Sequence, residues 1–188
     1  MAFEDFSQKE SVVVVYTGDG KGKTSAGIGL LARGLGLGWR VAFVQFIKLW
    51  EVNEHKFLKA IAPIYENSLT FYKGGKGFFE AGEISSKASR EEHLEAAQNT
   101  YDFAYKCATS GEYELVICDE INNAVHDGLL DSGLLQKLIA DKHPQTSLCL
   151  TGRNFPDDLI AQVDIATDMT KIKHHFDDKF LANPGIDY

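Results

Sequence analysis

The run Ser11–Tyr16, SVVVVY, leads directly into Thr17-Gly18-Asp19-Gly20-Lys21-Gly22-Lys23-Thr24. No other segment constrains the fold as much. Continuous β-branched residues predict a strand buried on both faces. The glycines behind it let successive backbone amides turn toward one anion, a lysine adds charge, and a Ser/Thr hydroxyl suits Mg2+. A helix of small residues, expected from about Lys23 to Gly34, brings its positive dipole end to the same point. Strand, loop and helix together are the signature of a phosphate-binding P-loop. Its nucleotide contacts are expected from Thr17, Gly18, Asp19, Gly20, Lys21, Gly22, Lys23, Thr24 and Ser25. In the general pattern GxxxxGK[ST] the first glycine falls on Thr17, a departure of one residue.

Downstream, apolar runs alternate with helical patterns. Strands are expected at Arg40–Ile47, Leu69–Tyr72, Glu114–Glu120 and Thr146–Thr151, and a last one at Ile165–Ile172. Ser89-Arg90-Glu91-Glu92 has the form of a capping box, and Leu94, Ala97, Tyr101, Ala104 and Ala108 follow at helical spacing. That helix should end near Gly111. A short helix with loops is expected within Lys48–Glu66, another helix around Leu134–Lys142, and one opened by Pro156 and running to about Val163. Gly74-Gly75-Lys76-Gly77 reads as a mobile surface loop over the end of the sheet, with a linker as the alternative. The alternation predicts an α/β fold with a mainly parallel sheet flanked by helices, of the P-loop NTPase (RecA-like) kind. At 188 residues the chain suits a single domain over residues 11–188, after an N-terminal extension at 1–10.

In such sheets ligands bind at the carboxyl ends of the strands. Asp119-Glu120 closes one strand, where an acid would hold or orient the metal; the choice between the two stays open. Thr151-Gly152-Arg153 closes another and could bring the Arg153 guanidinium to a triphosphate. Gln45 and Lys48 close a third. The six histidines show no metal-ligand spacing and read as ordinary polar residues, and no Ser/His/Asp or Cys/His arrangement is recognisable.

Composition narrows the partners. Nineteen Lys+Arg against 27 Asp+Glu give a net charge of −8, which argues against binding a nucleic-acid backbone. No apolar run approaches the roughly 20 residues of a membrane helix, and MAFEDFSQKE lacks the order of a signal peptide. Cys107, Cys118 and Cys149 are odd in number and form no CxxC pair, which suits buried free thiols in a reducing, cytoplasmic protein.

Taken together, TGDGKGKTSA, VQFIK, ICDEIN, TGRN before Pro156 and the tail KHHFDDKFLANPGIDY resemble the P-loop-type ATP:corrinoid adenosyltransferases, in that family's order from about Val12 to Tyr188. The threonine at the first glycine position is typical of that family. The resemblance implies transfer of the 5′-deoxyadenosyl group of ATP to the Co(I) centre of a reduced corrinoid, with release of triphosphate. It implies that Lys23 and the loop amides bind phosphates, with Lys23 counted as catalytic, and that Thr24 with Asp119 or Glu120 holds Mg2+. Lys21 and Arg153 would be further phosphate contacts. It also implies a homodimer served by a flavoprotein reductase.

Two positions depart from the family's pattern, both on the corrinoid side. A GFTW-like stretch is expected there, and this chain has Gly77-Phe78-Phe79-Glu80. Phe78 matches and is the expected catalytic aromatic, with Phe79 beside it, but Glu80 stands in place of a tryptophan. In Asp119–Ala124, DEINNA, Asn123 replaces an aromatic. The competing readings are a P-loop ATPase or small-molecule kinase, and an ATP-binding regulatory protein with a degraded corrinoid site.

Overall fold

A computed structural model describes residues 6–80, 82 and 86–187. The strands are β1 Val13–Thr17, β2 Val41–Gln45, β3 Leu69–Lys73, β4 Leu115–Asp119, β5 Ser147–Thr151 and β6 Ile165–Asp168. All pair in parallel, in the order β3-β2-β4-β5-β1-β6. Helices α1 Lys23–Gly36, α2 Asn53–Ile61, α3 Arg90–Thr109, α4 Ile121–His126 and α5 Ser132–Asp141 make the connections. A parallel sheet needs such crossovers, and they cover both of its faces.

That double cover explains the continuous apolar strands. Val41 and Phe43 of β2, with Leu115 and Ile117 of β4, pack beneath Leu31 and Leu35 of α1. The intervening Ala42, Val44, Val116 and Cys118 face Ala97, Tyr101 and Ala104 of α3. Alternate residues therefore enter opposite cores, and polar side chains have no place until the strands end. The three cysteines are buried and free, as expected. The capping box also forms: Ser89 Oγ accepts from the Glu92 amide, and Glu92 Oε2 accepts from the Ser89 amide. Among the described residues no helix is long and apolar enough to cross a membrane.

Four expectations need correction. The six-residue α4 directly follows β4; it is too short to show helical periodicity and was not anticipated. The segment after Pro156 is a 3-10 helix, Asp157–Gln162. β6 stops at Asp168 because the chain turns there beneath the P-loop, where the Met169 carbonyl accepts from the Gly20 amide at 2.6 Å. Finally, the Gly74–Gly77 stretch is docked rather than free. Gly74 N–H donates to Gln45 O and Gly77 N–H to Ile47 O, continuing β3 along β2. A Cβ on Gly75 would lie 2.2 Å from the Ile47 carbonyl carbon, so only glycine permits this approach.

Candidate functional site

Register brings the chemistry to one edge. Tyr16 pairs with Thr151, Thr17 with Asp168, and Gln45 with Asp119, so the carboxyl ends of β1, β5, β6, β2 and β4 line up. The P-loop leaves β1 through Gly18, whose φ of 96° lies in the left-handed region. A Cβ there would also fall 2.1 Å from Asp168 Oδ1. Lys23, at the start of α1, donates to the carbonyls of Gly18 (2.7 Å) and Gly20 (2.5 Å), which keeps its ammonium inside the loop. Burial and then the Arg153 charge lower its pKa below the ordinary lysine value. Ser25 is exposed in the first turn of α1.

The other loop residues have partners within the chain. Asp19 accepts from the Lys171 amide at 2.9 Å, a bond that lowers its pKa. Lys21 pairs with Asp187 at 2.8 Å, tying the tail to the loop. Two C-terminal segments thus brace the P-loop from outside, and the sequence offered no signal for either.

Asp119 and Glu120, neighbours in the chain, sit in opposite circumstances. The fully buried Asp119 has both oxygens engaged: Thr151 Oγ1 donates to Oδ1 (2.7 Å), while Gln45 Nε2 (2.7 Å) and Thr24 Oγ1 (3.3 Å) donate to Oδ2. Glu120 takes a left-handed φ of 64° as α4 begins, and its amide donates to Thr151 Oγ1. Its Oε2 is buried with no hydrogen-bond partner. Burial and then the adjacent Asp119 raise its pKa well above the usual carboxylate range. Lys48 stands nearby: burial alone would lower its pKa, but Glu120, Asp119 and its ion-pair partner Glu54 (2.7 Å) raise it. Gln45 and Lys48 therefore face the site, as the sequence suggested.

Arg153 reaches the same edge from β5, and its charge is felt at Lys23 and Asp19. Its amide donates to Asn123 Oδ1 at 2.7 Å, so the asparagine that stands where an aromatic was expected fixes the Arg153 turn.

Phe78 and Phe79 lie beyond β2, which is three strand positions from β1, about 14 Å across the sheet. The sequence did not single out Trp50, yet its ring lies 4.9 Å from that of Phe78. Phe79 contacts His93, and the Arg90 guanidinium lies over its ring at 5.3 Å. Phe78, Phe79 and His93 line a cavity of about 210 Å³. Glu80 is exposed with a φ of 48° and lies 4.0 Å from Arg90.

Residues 9–188 match the family model described as ATP:corrinoid adenosyltransferase BtuR/CobO/CobP. The chain is 30% identical over 183 residues to a corrinoid adenosyltransferase of Sinorhizobium sp, covering 97% of this chain and 82% of that one. It is 30% identical over 182 residues to the corrinoid adenosyltransferase of Escherichia coli K12, covering 96% and 87%. Among solved structures it resembles the flagellar accessory protein FlaH from Methanocaldococcus jannaschii, with a TM-score of 0.50 and 11% identity, covering 85% of this chain and 71% of that one. This last likeness concerns the fold alone, which is the expected P-loop NTPase architecture.

Proposed function

The chain belongs to the ATP:corrinoid adenosyltransferase family, and from that premise we propose how its own residues serve the transfer of the 5′-deoxyadenosyl group from ATP to a reduced corrinoid. In that reaction the Co(I) electron pair forms the bond to the ribose 5′-carbon. The carbon–oxygen bond breaks, and its electron pair leaves with triphosphate. No proton needs to be abstracted, so the work of the protein is to hold the leaving group, align the attack and exclude water.

Lys23 and the loop amides hold the triphosphate, and Arg153 adds a second cation from β5. Thr24 and Glu120 hold Mg2+. The observation that carries this assignment is Glu120 Oε2, a buried carboxylate oxygen without a partner. An ionised carboxylate so placed must either take up a proton or meet a cation. Mg2+ usually takes one or two carboxylates besides phosphate oxygens and waters, so a single protein carboxylate and a hydroxyl suit it. Bound there, it would neutralise charge on the departing triphosphate. Asp119 positions Thr24 instead, because its own oxygens are engaged by Thr151 and Gln45. Lys21, paired with Asp187, braces the tail in addition to any phosphate contact.

On the corrinoid side, Phe78 and Trp50 form one aromatic surface, and Phe79 lines the same cavity as Phe78. Trp50 supplies, from the segment after β2, the second aromatic that Glu80 does not. The same reading includes a single domain over 11–188 after an extension at 1–10, a cytoplasmic location, a flavoprotein reductase as the source of Co(I), and a homodimer. The exposed Ile172, Phe176, Phe180, Leu181 and Ile186 of the tail support the dimer, which sedimentation equilibrium would detect.

Anaerobic incubation with ATP, Mg2+ and chemically reduced cob(I)alamin tests the proposal. Phosphorus NMR should show inorganic triphosphate rising in step with adenosylated corrinoid, and little ADP without corrinoid. Steady ADP production in the absence of corrinoid would replace this reading with an ATPase.

A further inference from the structure

A chain of buried polar side chains runs away from the site into α2, and the phosphate chemistry makes no direct use of it. Gln45, His55 and Asp119 are 0%, 1% and 0% exposed. The Gln45 amide nitrogen donates to Asp119 Oδ2 at 2.7 Å, leaving its carbonyl oxygen for the His55 ring, which contacts it through Nε2. At the far side of that ring the Val52 amide donates to Nδ1 at 3.3 Å.

Only one arrangement of protons satisfies all four groups. The Val52 amide can only donate, so His55 Nδ1 must be the acceptor and Nε2 must carry the hydrogen. That hydrogen requires the Gln45 oxygen on its side, which turns the Gln45 NH2 toward Asp119. With the other tautomer, two N–H groups would meet at Val52. Gln45 would then have to flip and present its oxygen to a carboxylate. Burial also lowers the His55 pKa, which keeps the ring neutral and able to accept. Phe71, 5.5 Å from the ring, packs against it.

We propose that Gln45 and His55 are positioning residues of the metal site: together they fix the Asp119 carboxylate so that it holds the Thr24 hydroxyl toward the cation. The inference rests on the assignment of Thr24, Asp119 and Glu120 made above. Without Gln45, Oδ2 of Asp119 would keep only the 3.3 Å bond from Thr24, the very hydroxyl it has to position, and Thr151 would hold the other oxygen. The relay also links the first turn of α2, which follows Trp50 by a few residues, to the metal edge at β4. Loss of a partner one hydrogen bond removed from a metal ligand, the place of Asp119, typically weakens metal binding by about 10- to 100-fold. Gln45 and His55 lie one and two bonds further out, so their loss belongs at or below the lower end.

The test is Mn2+ binding followed by electron paramagnetic resonance in the presence of ATP and without corrinoid, on wild type, Gln45→Leu, His55→Leu, His55→Gln and Glu120→Gln. A glutamine at 55 can place an amide N–H where His55 Nε2–H lies, whereas leucine cannot. Both leucine variants should bind Mn2+ more weakly, by up to about tenfold, and His55→Gln should return close to wild type. Wild-type affinity in the leucine variants, with weakened binding in Glu120→Gln, would overturn the relay and leave the metal assignment standing. Unchanged affinity in Glu120→Gln as well would overturn the metal assignment itself. Nitrogen-15 NMR of the wild-type histidines decides the matter even if the leucine variants do not fold. The proposal requires the neutral Nε2–H tautomer at His55, and an Nδ1–H tautomer would refute it.

Discussion

Replacing Thr151 by valine keeps the shape of the side chain and removes only its hydroxyl. The site is fully buried, so no water can substitute. Two hydrogen bonds vanish together: the one donated to Asp119 Oδ1 at 2.7 Å, and the one accepted from the Glu120 amide at 3.0 Å. A bond to a charged group contributes about 1.5–3 kcal/mol, and a buried amide left unpaired costs about 1–3 kcal/mol. The extra methyl of valine recovers about 1 kcal/mol at most. The net loss is therefore about 3 kcal/mol, which for a chain of this length lowers Tm by about 6–12 °C. Thr151→Ser is the control. It retains the hydroxyl and loses one methyl, for about 1 kcal/mol. Circular-dichroism melts of the three proteins should rank wild type, Ser, Val. The Val variant should also lose activity beyond its instability, because Glu120 sits in a left-handed conformation that this bond helps to hold. A Thr151→Val protein melting within about 1 °C of wild type, or indistinguishable from Thr151→Ser, would refute the account of the Asp119–Thr151–Glu120 cluster.

Lys23→Ala removes the charge at the centre of the loop, and calorimetry should find ATP affinity reduced at least about tenfold; unchanged affinity in the folded variant would remove the P-loop assignment. Phe78→Ala and Trp50→Ala should each slow adenosylation from cob(I)alamin while leaving ATP affinity as it is, and equal rates would move both rings out of the corrinoid site. Gly75→Ala drives a Cβ to 2.2 Å from the Ile47 backbone, so its urea midpoint should fall by the equivalent of about 2 kcal/mol; an unchanged midpoint would restore the picture of a free loop. The Asp187 carboxyl is pulled down to about 2, mainly by the Asn183 amide and then by Lys21. Since the folded value lies below the ordinary 3.8, this tail contact is fully formed above that pH and is lost as pH falls through about 2. The Asn183 amide NMR signal should report that transition and should lose its dependence in Asp187→Asn.

The parts of this fold that could be read in advance are those in which one residue's environment repeats along the chain. β1, β2, β4 and β5 are buried on both faces, so their apolar runs carry the signal directly. α3 declared itself through Ser89 and Glu92 because a capping box is local. Where the deciding contact is distant in sequence, the reading failed. Gly74–Gly77 has the composition of a loop, and only its neighbours at Ile47 and Thr100 reveal that its glycines permit close packing. His55 looked like any isolated polar residue; its partner lies ten positions earlier, on another element. Which of Asp119 and Glu120 is already engaged by neighbours, the basis of the proposed metal assignment, is set by Thr151 and Gln45, far from both in the chain.

Thr17 and Asn123 show why departures from a pattern can carry structural information. Thr17 stands where the general phosphate loop has glycine, and its Oγ1 accepts from the Phe155 amide at 3.1 Å. Its carbonyl meanwhile accepts from Met169, and the Tyr16 carbonyl accepts from Gly152. Asn123 accepts from the Arg153 amide. Both side chains therefore grip the same turn, Thr151–Pro156, one from the end of β1 and the other from α4. A glycine at 17 would offer no oxygen, and an aromatic at 123 no short-range acceptor. The turn between them carries Arg153, the proposed second phosphate contact, and Glu120 immediately precedes α4. The P-loop, the helix that follows Glu120 and the Arg153 turn are thus fixed relative to one another by two side chains, one a departure from the general phosphate-loop pattern and the other from the family's.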